Sequence, residues 1–321
     1  MMRESLRLGR GMWVAGLTAF AATCMFMSPV GCSSSDSGES STPDAGRDGS
    51  IIPPPPGPCD LSKDFGRPTL VPGLPTGSGK SSGARLSADE LTVVYDDGKD
   101  LVLATRSDVA SGFQTKPWLA ATNSTAEDYL PWISTNGKDL YFMSNREVTT
   151  TYDLYHARRD DTGSAFGAAQ KVFHLPSGNI ASPYLLEGRE LWLTRLDGDK
   201  QEIFRAPITG DATFGAATPV SELNDPASKN AGAAVTQDGL TVYFVSTRSG
   251  AGDQDIWVAT RTTDSGTFGT PTRLPGVNSS FNDSPGWISP DGCRLYLSSD
   301  RDEGNDAGAR ETHTFVAQRP K

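Results

Sequence analysis

The chain has 321 residues, with 29 Lys and Arg against 39 Asp and Glu, a formal net charge of -10. That balance argues against a nucleic-acid binder, whose affinity comes from Lys and Arg on phosphates, and against docking on anionic lipid through a basic patch. The 34 Gly and 22 Pro suit many short strands joined by turns better than long helices.

In chain order, residues 1–31 read as an export signal. Arg3, Arg7 and Arg10 form a basic start, and residues 11–30 are apolar and rich in Ala, Met and Phe. Pro29-Val30-Gly31-Cys32 follows, then a Ser-rich run. This resembles a bacterial lipoprotein signal, in which a small residue precedes a Cys that is lipidated and becomes the new N-terminus. The resemblance assigns lipidation to Cys32. Cys24 fits less well, because Thr23 precedes it and apolar residues follow. An uncleaved anchor of about twenty residues is the plainer alternative. Ser33, rather than Asp, follows the Cys. By analogy with enterobacterial sorting, this implies an outer-membrane lipoprotein of a Gram-negative bacterium, on the periplasmic or cell-surface face. Residues 32–58 carry Ser, Gly, Asp and the run Pro53–Pro56, too little apolar surface to fold. They read as a linker that holds a folded domain, residues 59–321, away from the lipid.

Internal repetition organises that domain. Phe65, Phe113, Phe166, Phe214 and Phe268 recur at intervals of 48, 53, 48 and 54 residues. Each opens a unit that runs through an extended segment, a polar loop and a strand ending in a turn. Those turns include Asn136-Gly137, Asp238-Gly239 and Asp291-Gly292, good hairpin chemistry because Gly accepts positive φ. An apolar strand follows, as in Leu140-Tyr141-Phe142 or Val242-Tyr243-Phe244. A third strand carries Ala at a fixed place: Ala104, Ala157, Ala206, Ala259 and Ala317. Continuous apolar triplets suggest strands buried on both faces.

The pieces Ser289-Pro290-Asp291-Gly292, Leu295-Tyr296-Leu297-Ser298-Ser299, Ser246-Thr247-Arg248 and Asp255-Ile256-Trp257-Val258-Ala259 resemble the WD40-like repeat of TolB-type periplasmic β-propellers. The resemblance implies an all-β propeller, and the five repeat openings give it five blades, each a four-stranded antiparallel sheet. The segment at Phe65 is expected to close the ring by joining the three C-terminal strands. Cys59 and Cys293 then meet, and an oxidising periplasm predicts a disulfide between them. The cysteines have no CxxC spacing, and no HExxH, GxSxG or P-loop pattern is present. No metal site or cofactor is expected.

Two sets of residues stand out as sites. Arg146, Arg195, Arg248 and Arg301 end second strands, and acids open the third strands. The pairs Arg146–Asp153, Arg195–Glu202 and Arg248–Asp255 are expected as structural ion pairs, worth ~0–1 kcal/mol each if exposed. Ser81, Asp128, Asn179, Asn230 and Asp283 stand just before the innermost strands and are expected around the channel mouth. There they form a candidate ligand ring for a sugar or, less readily, calcium; the plainer reading is that they cap turns. Trp132 and Trp287 read as packing between blades, and His156, His174 and His313 as structural or surface residues. The acidic loop with Asp300, Asp302, Glu303 and Asp306 reads as a solvated loop, with partner or calcium contact as its functional alternative. A monomeric, non-catalytic binding or scaffold module for an envelope protein or glycan is expected. The ligand surface would be the loops 76–83, 122–128, 177–182, 224–232 and 277–283. The alternative is a carbohydrate-active enzyme using acids such as Glu127, Asp128 and Asp283 at the channel mouth.

Overall fold

A computed structural model describes residues 59–173, 175, 179–248, 254–301 and 311–321. The expected signal, Cys32 and the linker lie outside the described residues, as do His174, Asp302, Glu303 and Asp306. The described part contains strands and no α-helix, so no helix there is long and apolar enough to cross a membrane.

After a short β1 (Thr69–Leu70), the first blade comprises β2 (Ser82–Leu86), β3 (Thr92–Asp96), β4 (Leu101–Thr105) and β5 (Gln114–Lys116). The second has β6 (Asp128–Ile133), β7 (Asp139–Ser144), β8 (Asp153–Arg158) and β9 (Gln170–Lys171). The third has β10 (Asn179–Leu186), β11 (Glu190–Asp197), β12 (Lys200–Gly210), β13 (Thr213–Phe214) and β14 (Thr218–Pro219). The fourth has β15 (Asn230–Val235), β16 (Thr241–Ser246), β17 (Asp255–Thr260) and β18 (Thr272–Arg273). The last is β19 (Asp283–Ile288), β20 (Arg294–Ser299) and β21 (His313–Gln318), completed by β1 in the order β1-β21-β20-β19.

All pairings are antiparallel, and the inner strands meet in a closed circle: β2 with β6, β6 with β10, β10 with β15, β15 with β19, and β19 with β2. The molecule is a five-bladed β-propeller. The third blade departs from four strands, because β12 runs on past its partner β14 into a hairpin with β13.

The middle strands are apolar on both faces because a neighbouring blade covers each face. Every residue of β3 is buried, and Phe142, Trp192, Phe244 and Tyr296 are among the largest fully buried side chains. The five third-strand alanines are all buried opposite Val93, Leu140, Leu191, Val242 and Leu295. Trp132 and Trp287 are buried in the core, as expected.

The repeating Phe has a partner that the sequence did not reveal. Arg319, Arg106, Arg159 and Arg261 place their guanidinium carbons 4.0, 4.4, 4.6 and 4.5 Å from the ring centroids of Phe65, Phe113, Phe166 and Phe268. Each arginine also donates from Nε to a carbonyl of the first turn: Gly292, Glu90, Gly137 and Gly239 respectively. One residue therefore ties turn, third strand and outer Phe together, and the stacking alone contributes about 0.5–2 kcal/mol. Each of these arginines lies two residues after the fixed Ala, where the third blade has Ile208 instead.

The ring closes as expected. Thr69 pairs with Val316 and Leu70 with Phe315, and a disulfide joins Cys59 to Cys293 with Cα atoms 5.7 Å apart. The Asp60 amide adds a bond of 2.9 Å to the Pro320 carbonyl.

Candidate functional site

The channel mouth is built by the loops that precede the inner strands. Asn123, Asn224 and Asn278 fix these loops. Each side chain spans both the amide and the carbonyl of a third-strand residue in the preceding blade: Leu101, Ile203 and Ile256. A buried backbone pair at a strand end is thereby satisfied. The sequence signal was an Asn five or six residues ahead of Asp128, Asn230 and Asp283.

Those three residues are fully buried, each bound to an arginine. Arg146 donates to Asp128 at 2.7 Å, Arg248 to Asn230 at 2.7 Å and Arg301 to Asp283 at 2.6 Å. The second carboxylate oxygen of Asp128 accepts from the Ser124 amide and hydroxyl at 2.7 and 3.0 Å. That of Asp283 accepts from the Ser279 amide and hydroxyl at 2.5 and 2.8 Å. Each arginine also donates from Nε to the Ser two residues earlier, and to a loop carbonyl at Thr122, Leu223 or Val277. It stacks on an aromatic ring of its own blade, Tyr155, Phe244 or Phe315.

These contacts correct two expectations. The arginines do not pair with the acids that open the third strands. Asp153 stands opposite Ser144, and Asp255 opposite Ser246, so each arginine lies beyond the end of that ladder and folds inward. The acids face outward instead: Asp153 binds Lys171 at 2.8 Å and Asp255 binds Arg273 at 2.7 Å. Arg195 does stand opposite Glu202, but within β11, and Glu202 binds Lys200 at 2.9 Å. The second correction concerns the ring. Asp128, Asn230 and Asp283 are spent on blade architecture, and Ser81 is buried in the seam, where its hydroxyl accepts from the Thr314 amide at 3.1 Å. Asn179, half-buried, accepts from the Tyr152 amide at 3.2 Å. These positions hold loops rather than present groups to a ligand.

The channel wall is made one to four residues further on. Every inner strand carries an extra residue there, a β-bulge lying between Ser82/Arg85, Tyr129/Trp132, Ala181/Tyr184, Ala231/Ala234 and Pro285/Trp287. Bulges of this kind re-aim side chains. Gly83 and Gly232 take positive φ within them, and so do Leu130 and Ser182, both at φ 51°. A left-handed non-Gly residue costs roughly 1–2 kcal/mol.

Around these bulges lies a cavity of about 310 Å³, whose lining includes Arg85, Leu130, Ser182, Gly232, Ser284 and, towards the loops, Asp300. Asp300 holds the Asn282 amide at 2.7 Å and its side chain at 2.9 Å. Beside the cavity Asp96 accepts from Ser82 at 2.6 Å, and burial pushes its pKa up. Among the described residues no group of three or more His, Cys, Asp or Glu is placed to hold a metal ion.

A second cavity, of about 220 Å³, sits at the turn end of the second and third blades beside Tyr141, Asp139, Glu187 and Asp211. Its carboxylates are engaged: Asp139 with His156 at 2.9 Å, Glu187 with Thr135 at 2.5 and 2.6 Å, and Asp211 with Arg158 at 3.5 Å. His313 is buried at the other end, its Nε2 2.9 Å from the Gly79 carbonyl.

No protein-family model and no curated protein matches this sequence. Solved structures do match the fold. An α-L-arabinofuranosidase from Podospora anserina, in complex with cellotriose, is 13% identical, with 80% of this chain and 97% of that chain covered at a TM-score of 0.52. An endo-arabinase from Bacteroides thetaiotaomicron is 15% identical over 80% and 97% of the two chains, also at 0.52. TolB from Acinetobacter baumannii is 16% identical over 74% and 54%, at a TM-score of 0.41. Identities this low establish the shared architecture and carry over no catalytic or binding residue.

Proposed function

We propose that the chain is a non-catalytic binding module of the bacterial cell envelope, lipid-anchored through Cys32, which presents its channel-mouth face to an envelope protein or glycan. The observation that supports this reading is the fate of the two acids that open inner strands. Asp128 and Asp283 are fully buried, and both oxygens of each are occupied by an arginine and a loop Ser. Glycoside hydrolysis needs a general acid and a second carboxylate that reach the substrate. Carboxylates locked in this way are poor candidates for either role. Glu127 is also engaged, by the Tyr152 hydroxyl.

The alternative, a carbohydrate-active enzyme, draws on the arabinan-acting propellers of the same fold. The full-length protein, purified in detergent, separates the two. Incubated with arabinan and arabino-oligosaccharides, it is expected to release no product, while a glycan array or envelope-protein binding assay registers retention. Turnover that disappears in Asp128→Asn or Asp283→Asn would overturn the reading. The anchor is checked separately by labelling cells with a fatty-acid probe. Cys32→Ala is expected to abolish the label and release the chain from the membrane fraction.

A further inference from the structure

Arg85 is the one charged side chain of the inner bulges that the architecture does not use. It follows the bulge of β2, is only 3% exposed and lines the central cavity. Of the other arginines at the mouth, Arg146 and Arg301 have carboxylates at 2.7 and 2.6 Å, and Arg248 has the Asn230 side chain at 2.7 Å. Among the described residues Arg85 has no carboxylate in ion-pair range. Its Nη1 donates to the adjacent Ala84 carbonyl at 3.3 Å, and its buried Nε has no hydrogen-bond partner. Its guanidinium carbon stands 5.9 Å from the Tyr184 ring centroid, and Asp96 acts on it only from a distance. Burial pulls its pKa down to about 10, so it remains charged at neutral pH. A buried charge with an idle donor is costly to keep and calls for a counter-charge.

The surroundings say what kind of counter-charge fits. The hydroxyls of Ser182 and Ser284 have no partner among the described residues, and both lie beside Gly232, 3.9 and 3.6 Å from where its Cβ would be. Gly286 packs closely beside Arg85: a Cβ there would stand 2.7 Å from the Ala84 carbonyl, 3.0 Å from the Tyr296 carbonyl and 3.4 Å from Arg85 Nη1, so this side of the guanidinium is backbone wall. The wall thus offers a guanidinium at depth and free hydroxyls around it. Asp300 at the mouth, and the net charge of -10, oppose a dianion. A planar, singly charged carboxylate matches the guanidinium fork, and neighbouring sugar hydroxyls match the serines.

We infer that the central cavity is a binding site for a small polyhydroxy carboxylate of the uronic-acid class, with Arg85 holding the carboxylate and Ser182 and Ser284 the ring hydroxyls. This deepens the binding-module reading and rests on it. Titration calorimetry on the full-length protein in detergent tests it with galacturonate and glucuronate as probes. Galactose, glucose and inorganic phosphate serve as controls. At least one uronate is expected to bind, with its neutral counterpart weaker by roughly a hundredfold. Arg85→Met, close in volume, is expected to fold with an unchanged or higher melting temperature and to lose uronate binding by a similar factor. Ser182→Ala with Ser284→Ala is expected to weaken it by roughly tenfold. Absence of uronate binding, binding that survives Arg85→Met, or phosphate bound in preference to both uronates would each overturn the inference. Those outcomes leave the binding-module reading standing, which falls only if the protein turns over glycan.

Discussion

Glu90 and Arg294, 204 residues apart in the sequence, form a bidentate ion pair at 2.6–2.9 Å across the seam between the first and last blades. The Tyr296 hydroxyl donates to the same carboxylate at 2.7 Å, and Arg106 stands 3.8 Å away. Glu90 is fully buried and left-handed, at φ 60°, where the equivalent turns have Gly137, Gly239 and Gly292. Breaking one side of such a pair leaves an uncompensated buried charge, at a cost of about 3–5 kcal/mol. Glu90→Ala is therefore expected to lower unfolding free energy by that amount in a denaturant titration. Glu90→Gly should lose less, by roughly 1 kcal/mol, because glycine relieves the positive φ. Equal losses would show that the turn is not strained.

The disulfide closes a loop spanning a sequence separation of 234. In the chain-entropy model a loop that long contributes about 5 kcal/mol. Cys293→Ser, or reduction of the native protein, should lower the melting temperature by several degrees. A melting curve insensitive to reductant would mean that β1 and the Glu90 pair suffice to hold the seam.

The fourth blade supplies a natural control for the latch at the mouth. Asn230 accepts from Arg248 with the geometry that Asp128 and Asp283 use toward their own arginines. Asp283→Asn should therefore cost only about 1 kcal/mol, whereas Asp283→Ala should cost about 3 kcal/mol or more by leaving Arg301 unpaired. Denaturation midpoints of the two variants check this. Identical losses would show that charge, and not the hydrogen-bond pattern, holds the loop.

Asp96 gives stability a pH dependence. Burial raises its pKa above the ordinary 3.8, partly opposed by the Ser82 hydrogen bond. The folded state then holds this proton more tightly than the unfolded chain. Its contribution is complete below 3.8 and is lost as pH rises through the elevated folded value. Asp96→Asn, which cannot ionise, should flatten that part of a melting-temperature profile and match or exceed the parent at neutral pH. A parent profile unchanged by the substitution would place the proton elsewhere.

The blades were legible because the Phe spacing, the turn glycines and the third-strand alanines answer to packing that every blade must repeat. Closure followed from the same count, and with it the meeting of Cys59 and Cys293. The site was legible in outline only. Asp128 and Asp283 could be placed before the inner strands, but one-residue bulges decide which side chains reach the channel, and neither Leu130 nor Ser182 carries a sequence signal for positive φ. Arg146 could be seen to end its strand, yet its partner depends on which way the loop folds after the ladder stops at Ser144. Arg85 was passed over because it has no counterpart in the other blades. Repetition reveals structure, and the exception has to be found in the fold.

The staple at Cys59 also decides how the molecule bears a mechanical load. β1 spans only two residues, and a pull along the backbone before it would peel such a strand away with little resistance. With the sulfur atoms bonded, the force enters instead at Cys293, in the first turn of the last blade, and bypasses β1. Tension applied through the chain ahead of Cys59 is then borne by a covalent link rather than by a handful of amide contacts.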